Sequence, residues 1–205
     1  MVWRSRLRRK GSHVKKVFLL TAALLWGGDL MAETKTAIYA GGCFWCIEKD
    51  FEKLDGVIDV VSGYSGGSKE DATYELVSAK KTKHYEVVQV TYDAEKVSYK
   101  ELTDYFWHHV DPLDGSGQFC DKGEQYTSAV FYGNDEEKRI AEELKASYEK
   151  DLFGTGAVKT KIMPAKPFYL AEEYHQDYYK KNPVRYNYYR WACGRDQRVN
   201  EVWKK

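Results

Sequence analysis

The stretch "YAGGCFWCIEKDF", Tyr39–Phe51, sets Cys43 and Cys46 three residues apart, with two glycines ahead of them and Phe44 and Trp45 between them. Two more cysteines, Cys120 and Cys193, stand far from this pair and from each other. Thiols at the close spacing can grip a metal, close a redox disulfide, or present one nucleophile beside a second thiol. A structural zinc site wants two close ligand pairs, and the second pair is missing. A thioredoxin-like dithiol matches the spacing and the strand-to-helix position, but bulky Phe44 and Trp45 read as pocket walls rather than a docking surface. A single nucleophile at Cys43 suits the context better. At the first turn of a helix, free N–H groups and the positive dipole end would lower a thiol from its usual pKa of about 8.5. Gly41 and Gly42 would let the backbone turn sharply and a substrate approach closely. The plain alternative is a buried, inert cysteine.

The elements that must position these thiols follow from pattern. "TKTAIYAGG" reads as a strand ending in two glycines. The segment after it has apolar residues at Phe44, Ile47, Phe51 and Leu54, a helical spacing stopped by Gly56. "VIDVVSGYSGG" reads as a strand with a glycine loop, and "DATYELVSAK" as ambiguous. In "HYEVVQVTYD", Tyr85, Val87, Gln89 and Thr91 fall on one face and Glu86, Val88, Val90 and Tyr92 on the other. Ser98 with Glu101 forms a capping box for a helix, and Asn134 caps another. "TSAVFYG" is a strand, "KTKIMPAKPFYLA" a last strand interrupted by Pro164, and the aromatic, basic tail is weakly patterned. Alternating strands and helices imply one α+β domain: a two-layer sandwich of helices on a mixed sheet with a ferredoxin-like βαββαβ core.

With 205 residues the chain can bury a real core, and 32 basic against 31 acidic residues leave no global electrostatic case for nucleic acid. The first 32 residues differ: a basic start, the apolar run "VFLLTAALLWGG", then "DLMA". That order reads as a signal peptide cleaved after Ala32, followed by a catalytic domain over 33–205, periplasmic or secreted, without stable membrane insertion once cleaved. An uncleaved anchor is the other possibility, since Leu30 is large for its position. Export would favour oxidised thiols.

Several segments then converge. "GGCFWCIE", "GYSGG", Thr73–Tyr74, "HYEVVQVTYD", "DPLDGSGQFCDKGEQYTSAVFY" and "KPFYLAEEYHQDYY" closely resemble, in order, segments of the A-type peptide methionine sulfoxide reductases. The resemblance implies reduction of the S epimer of methionine sulfoxide, free or in proteins. It implies Cys43 as attacking cysteine, Glu86 as acid, Tyr74 and Tyr126 as hydrogen-bond donors to the sulfoxide oxygen, and Phe44 and Trp45 as walls for the S-methyl group. Asp121 would orient substrate, and His84 of the "HYE" segment joins the substrate-binding set. Elementary chemistry agrees: a sulfoxide oxygen leaves only if protonated, and a carboxylic acid among aromatics stays protonated near neutrality. Glu86 shares its face with Val88 and Val90, which argues against a solvated position. His108, His109 and His175 read as packing or surface residues.

Attack leaves Cys43 as a sulfenic acid, which condenses with a nearby thiol. Cys193, in a tail that could fold over the site as in many relatives, ranks first as the resolving cysteine. Cys46 and Cys120 follow; they replace residues that in the family are often glycine and asparagine. The resemblance implies recycling by a thioredoxin-like reductant. No metal or organic cofactor is expected. A general disulfide oxidoreductase using Cys43 and Cys46, or a disulfide-stapled exported binding domain, are the rival readings.

Overall fold

A computed structural model describes Met1 and residues 33–204. The chain divides into two units, Met1–Met31 and Ala32–Lys205. Apart from Met1, the expected signal segment lies outside the described residues, and so does its cleavage site. Among the described residues no helix is long and apolar enough to cross a membrane.

The second unit is α+β. Its mixed sheet is built from β1 (Thr34–Ala40), β2 (Val57–Ser65), β3 (Tyr85–Asp93), β6 (Ala129–Tyr132), β7 (Lys161–Pro164) and β8 (Phe168–Leu170), in the order β7-β6-β1-β3-β2-β8. A separate hairpin joins β4 (Gly117–Gln118) to β5 (Asp121–Lys122). β6 and β7 run parallel and the other neighbours antiparallel. The helices are α1 (Phe44–Phe51), α2 (Tyr74–Ser78), α3 (Tyr99–Trp107), α4 (Asp135–Tyr148), α5 (Tyr178–Lys181), α6 (Pro183–Ala192) and α7 (Arg195–Trp203).

The alternation in β3 is realised as the sequence implies. Val88, Val90 and Tyr92 join Phe44, Ile47 and Phe51 of α1 and Leu102 and Phe106 of α3 in the main core. Tyr85 and Val87 pack on the opposite face with Ala40, Ala129 and Phe131. Each fully buried large side chain contributes roughly 1.5–3 kcal/mol, so the facing of β3 is firmly set. The capping box is present: Ser98 Oγ accepts from the Glu101 N–H at 3.2 Å while the Glu101 carboxylate accepts from the Ser98 N–H at 2.8 Å. Asn134 caps α4 by accepting from the Glu137 N–H.

Two expectations are corrected. The last strand is two strands on opposite edges of the sheet: β7 pairs with β6 and β8 with β2. Pro164 and Pro167 lack a donor N–H, which separates the strands and suits them to edges. The ambiguous segment forms α2, and the weakly patterned tail forms α5, α6 and α7, with Pro183 opening α6 and Gly194, at φ +63°, turning the chain into α7.

Tyr39 of β1 pairs with Val88 of β3, and continuing that register sets Glu86 level with Gly41, just before the α1 start. Gly42 turns the chain there at φ +83°, and a Cβ on it would lie 2.6 Å from Cβ of Gln118. Gln118 cannot yield readily, because its amide exchanges two 2.8 Å hydrogen bonds with the Asp111 backbone. Gly42→Ala should therefore lower stability by about 1–3 kcal/mol in denaturant unfolding.

Candidate active site

Five parts of the chain converge on a cavity of about 70 Å³. The α1 start supplies Cys43, Phe44 and Trp45, β3 supplies Glu86, and α2 opens with Tyr74. The β5 region and the turn after it supply Asp121 and Tyr126, and α6 supplies Tyr189. Of the nine site residues named from sequence, Cys43, Phe44, Trp45, Tyr74, Glu86, Asp121 and Tyr126 line this cavity.

His84 does not. It is buried beneath the glycine loop, where Nδ1 accepts from the Gly67 N–H at 3.2 Å and Nε2 donates to Ser68 O at 2.8 Å. It shapes the loop before α2 instead of touching the cavity. Cys193 does not line it either: it is bonded to Cys120. The bridge joins the tip of the β4–β5 hairpin to the end of α6, with Cα atoms 4.9 Å apart. The free cysteines among the described residues are Cys43 and Cys46, both buried and packed with Tyr178 and Tyr186.

Glu86 is 2 % exposed and its Oε2 accepts from the Phe44 N–H at 3.2 Å. Burial first, then the Asp121 charge, push its carboxyl up to about 8, against the opposing hydrogen bonds from Phe44 and Tyr126. Glu86 is therefore a protonated acid at neutral pH. Burial likewise raises Tyr74, to about 12, and Tyr126 further, so both remain phenols able to donate. Asp121 is raised by burial while accepting a hydrogen bond from the Tyr189 hydroxyl.

The cysteine pair departs from the sequence expectation. Burial pushes Cys43 up, aided by its hydrogen bond with Cys46. The same hydrogen bond pulls Cys46 down to about 7, helped by Arg195 and Arg190. Cys43 is the N-cap residue, and the Phe44 amide that would stabilise its thiolate is engaged by Glu86. The helix start therefore serves the acid first, and the negative charge of the pair rests toward the two arginines.

Three wall-forming residues escaped the sequence reading. His175 is 1 % exposed, not a surface residue: its Nδ1 accepts from the Trp45 indole N–H at 3.0 Å, and its ring packs 4.4 Å from Tyr74 and 5.0 Å from Phe44. Burial lowers it to about 4, so it stays neutral, the form that can accept from the indole. Tyr178 stacks on Trp45 at 3.7 Å, and Tyr189 meets its edge. Tyr186 and Tyr189, three residues apart in α6, carried a faint helical signal, preceded by the break at Asn182–Pro183. Replacing His175 by alanine should raise the substrate KM roughly 5–10-fold, the worth of one buried hydrogen bond, with kcat nearly unchanged in steady-state kinetics.

A buried thiol pair, a protonated carboxylic acid and two phenols around one small aromatic-walled cavity define a thiol-dependent oxidoreductase. The family model for peptide methionine sulfoxide reductases matches residues 35–205, and the chain belongs to that family. It is 49% identical over 205 residues to the peptide methionine sulfoxide reductase MsrA/MsrB of Vibrio cholerae, a match over 96% of this chain that spans 54% of that protein's length. It is 48% identical over 171 residues to MsrA 2 of Caulobacter vibrioides, covering 83% of this chain and 86% of that one. Among solved structures, reduced Mxr1 of Saccharomyces cerevisiae superposes with a TM-score of 0.69 at 34% identity, over 75% of this chain and 88% of Mxr1. Methionine sulfoxide reductase A of Corynebacterium diphtheriae gives 0.68 at 33% identity, over 74% and 76% of the two chains. Mxr1 has also been solved in complex with Trx2, at a TM-score of 0.50 and 27% identity, over 72% of this chain and 86% of Mxr1.

Proposed function

We propose that the protein reduces the S epimer of methionine sulfoxide, free or in proteins, to methionine, repairing oxidative damage. Cys43 attacks the sulfoxide sulfur, giving up its proton to Cys46. Glu86 protonates the sulfoxide oxygen, and Tyr74 and Tyr126 hydrogen-bond it as charge develops. Attack forms a Cys43–substrate S–S bond. The protonated oxygen then passes to the Cys43 sulfur as the substrate S–O bond and that S–S bond break, so methionine leaves and Cys43 is left as a sulfenic acid. Phe44 and Trp45 enclose the S-methyl group, and Asp121, braced by Tyr189, orients the rest of the substrate. The observation that carries this reading is the buried Glu86 carboxyl, held protonated beside the cysteine.

Cys46 is the resolving cysteine in this reading. It is the free thiol hydrogen-bonded to Cys43, whereas the first-ranked candidate, Cys193, is bonded to Cys120. The Cys46 thiol condenses with the sulfenic acid, forming the Cys43–Cys46 disulfide and releasing water. A thioredoxin-like dithiol protein restores the thiols. The Mxr1 complex with Trx2 supports that partner class. A dedicated disulfide oxidoreductase is less favoured, because Cys43 lines a cavity of about 70 Å³ with aromatic walls, sized for a small group rather than for a docked disulfide.

The signal-peptide reading of residues 1–32, the catalytic domain over 33–205 and a periplasmic or secreted location rest on the charged, apolar, small-residue order of the N-terminus. The strand order β6-β1-β3-β2, with α1 and α3 as the crossing helices, supports the ferredoxin-like βαββαβ description of the core.

The direct test incubates the enzyme with dithiothreitol and each sulfoxide epimer separately. Methionine should form from the S epimer at least ~100-fold faster than from the R epimer. Equal rates, or disulfide reduction without methionine, would refute the reading.

A further inference from the structure

The outer face of α6 is apolar and uncovered. Val184, Tyr188 and Trp191 are 84 %, 69 % and 77 % exposed, and their four- and three-residue spacing aligns them in one stripe. The inner face of the same helix is committed to the site through Tyr186 and Tyr189. The stripe runs toward Cys193, the C-cap residue of α6, whose disulfide partner Cys120 is exposed. Beside Trp191 lies a cleft of about 440 Å³ bordered by Lys49, Lys53, Arg190 and Asp196, a net positive rim. Cys43 and Cys46, by contrast, are 7 % and 2 % exposed beneath α6. A protein thiolate cannot attack a disulfide it cannot reach, whereas it can reach the Cys120–Cys193 bridge.

We infer that the Val184–Tyr188–Trp191 face and the adjoining Cys120–Cys193 disulfide form the docking and electron-entry site for a dithiol protein reductant with carboxylates around its thiols. The inference deepens the functional reading above and rests on it. Exposed aromatics of this kind supply binding energy, and the basic rim selects an acidic partner. One reductant thiolate attacks the bridge, breaking its S–S bond and forming a mixed disulfide. The second reductant thiol then displaces it, so the reductant leaves as a disulfide and Cys120 and Cys193 as two thiols. Two further exchanges carry the electron pair and two protons inward: the Cys43–Cys46 disulfide is reduced and the Cys120–Cys193 bridge re-forms. Asp121, next to Cys120, and Tyr189, one helical turn before Cys193, both line the cavity, so the bridge abuts its wall. The bridge thus passes electrons across the layer that shields the nucleophile.

Thioredoxin is the probe. Tyr188→Ser and Trp191→Ser, both at exposed positions, should raise KM for thioredoxin at least ~10-fold and leave dithiothreitol-driven turnover unchanged. Thioredoxin KM should also rise with ionic strength. A thioredoxin whose own resolving cysteine is serine should be trapped on Cys120 or Cys193, located by peptide mass spectrometry. An unchanged thioredoxin KM in both variants, or trapping on Cys43 or Cys46 alone, overturns the inference. Methionine formed in a single turnover by the prereduced protein is read in parallel. Its absence would sink the reductase reading, whereas its presence alongside either adverse result sinks only the docking site.

Discussion

Cys43→Ser should form no methionine, with a loss of at least about 10⁴-fold in the single-turnover rate of the prereduced protein. The hydroxyl nearly fills the thiol's volume, so the aromatic walls and the fold should persist. What is lost is the polarisable sulfur and its exchange of a proton with Cys46. Cys46→Ser should behave differently. Cys43 remains to attack, more slowly without Cys46 to take its proton, so one equivalent of methionine per protein should still appear, while recycling by a dithiol is impaired. The contrast separates attack from resolution, and rapid-quench counting of methionine measures both.

Glu86 carries the second large effect. Glu86→Ala should slow the first step by roughly 10²–10⁴-fold, because no acid then faces the leaving oxygen. Glu86→Gln retains a hydrogen-bond donor and should lose less. The pH profile gives a sharper test. Cys46 must be able to take a proton, which favours pH above about 7, and Glu86 must hold one, which favours pH below about 8. The single-turnover rate should therefore be bell-shaped with a narrow maximum between these values, the two limbs being apparent constants of the coupled site. Glu86→Gln should remove the upper limb.

The same carboxyl links activity to stability. Its folded value, about 8, lies above the ordinary 4.5, so between these pH values the folded protein holds a proton the unfolded chain releases. This contribution is fully present below about pH 4.5 and is lost as pH rises through about 8. Glu86→Gln should accordingly be more stable than the parent at pH 8, by on the order of a few kcal/mol in denaturant unfolding, though less active.

Much of this site was legible because its determinants are local. The glycine pair before Cys43, the alternation that turns Glu86 toward the core with Val88 and Val90, and the Ser98–Glu101 box each specify geometry within a few residues. The remaining features depend on contacts across long stretches of chain. Trp45 is held by His175, 130 residues away, and Tyr189 reaches Asp121 across 68. The Cys120–Cys193 bridge spans 73 residues, and no spacing rule selects it from three connectivities of four cysteines. The direction of the Cys43 shift was misread for a similar reason. The helix N-terminus was visible in the sequence, but not that Glu86 would occupy its first amide. His84 was placed in the site with the segment that carries Glu86, but it lies just before β3 begins, and its ring is held under the glycine loop by the Gly67 N–H and Ser68 carbonyl.

The decisive measurement maps the oxygen after one turnover. Prereduced Cys46→Ser protein is mixed with methionine-S-sulfoxide in the presence of a dione that captures sulfenic acids, and the peptides are weighed. One adduct on Cys43 for each methionine formed is the expected result. Methionine appearing with Cys43 unmodified, or with the adduct on another cysteine, would contradict attack by Cys43.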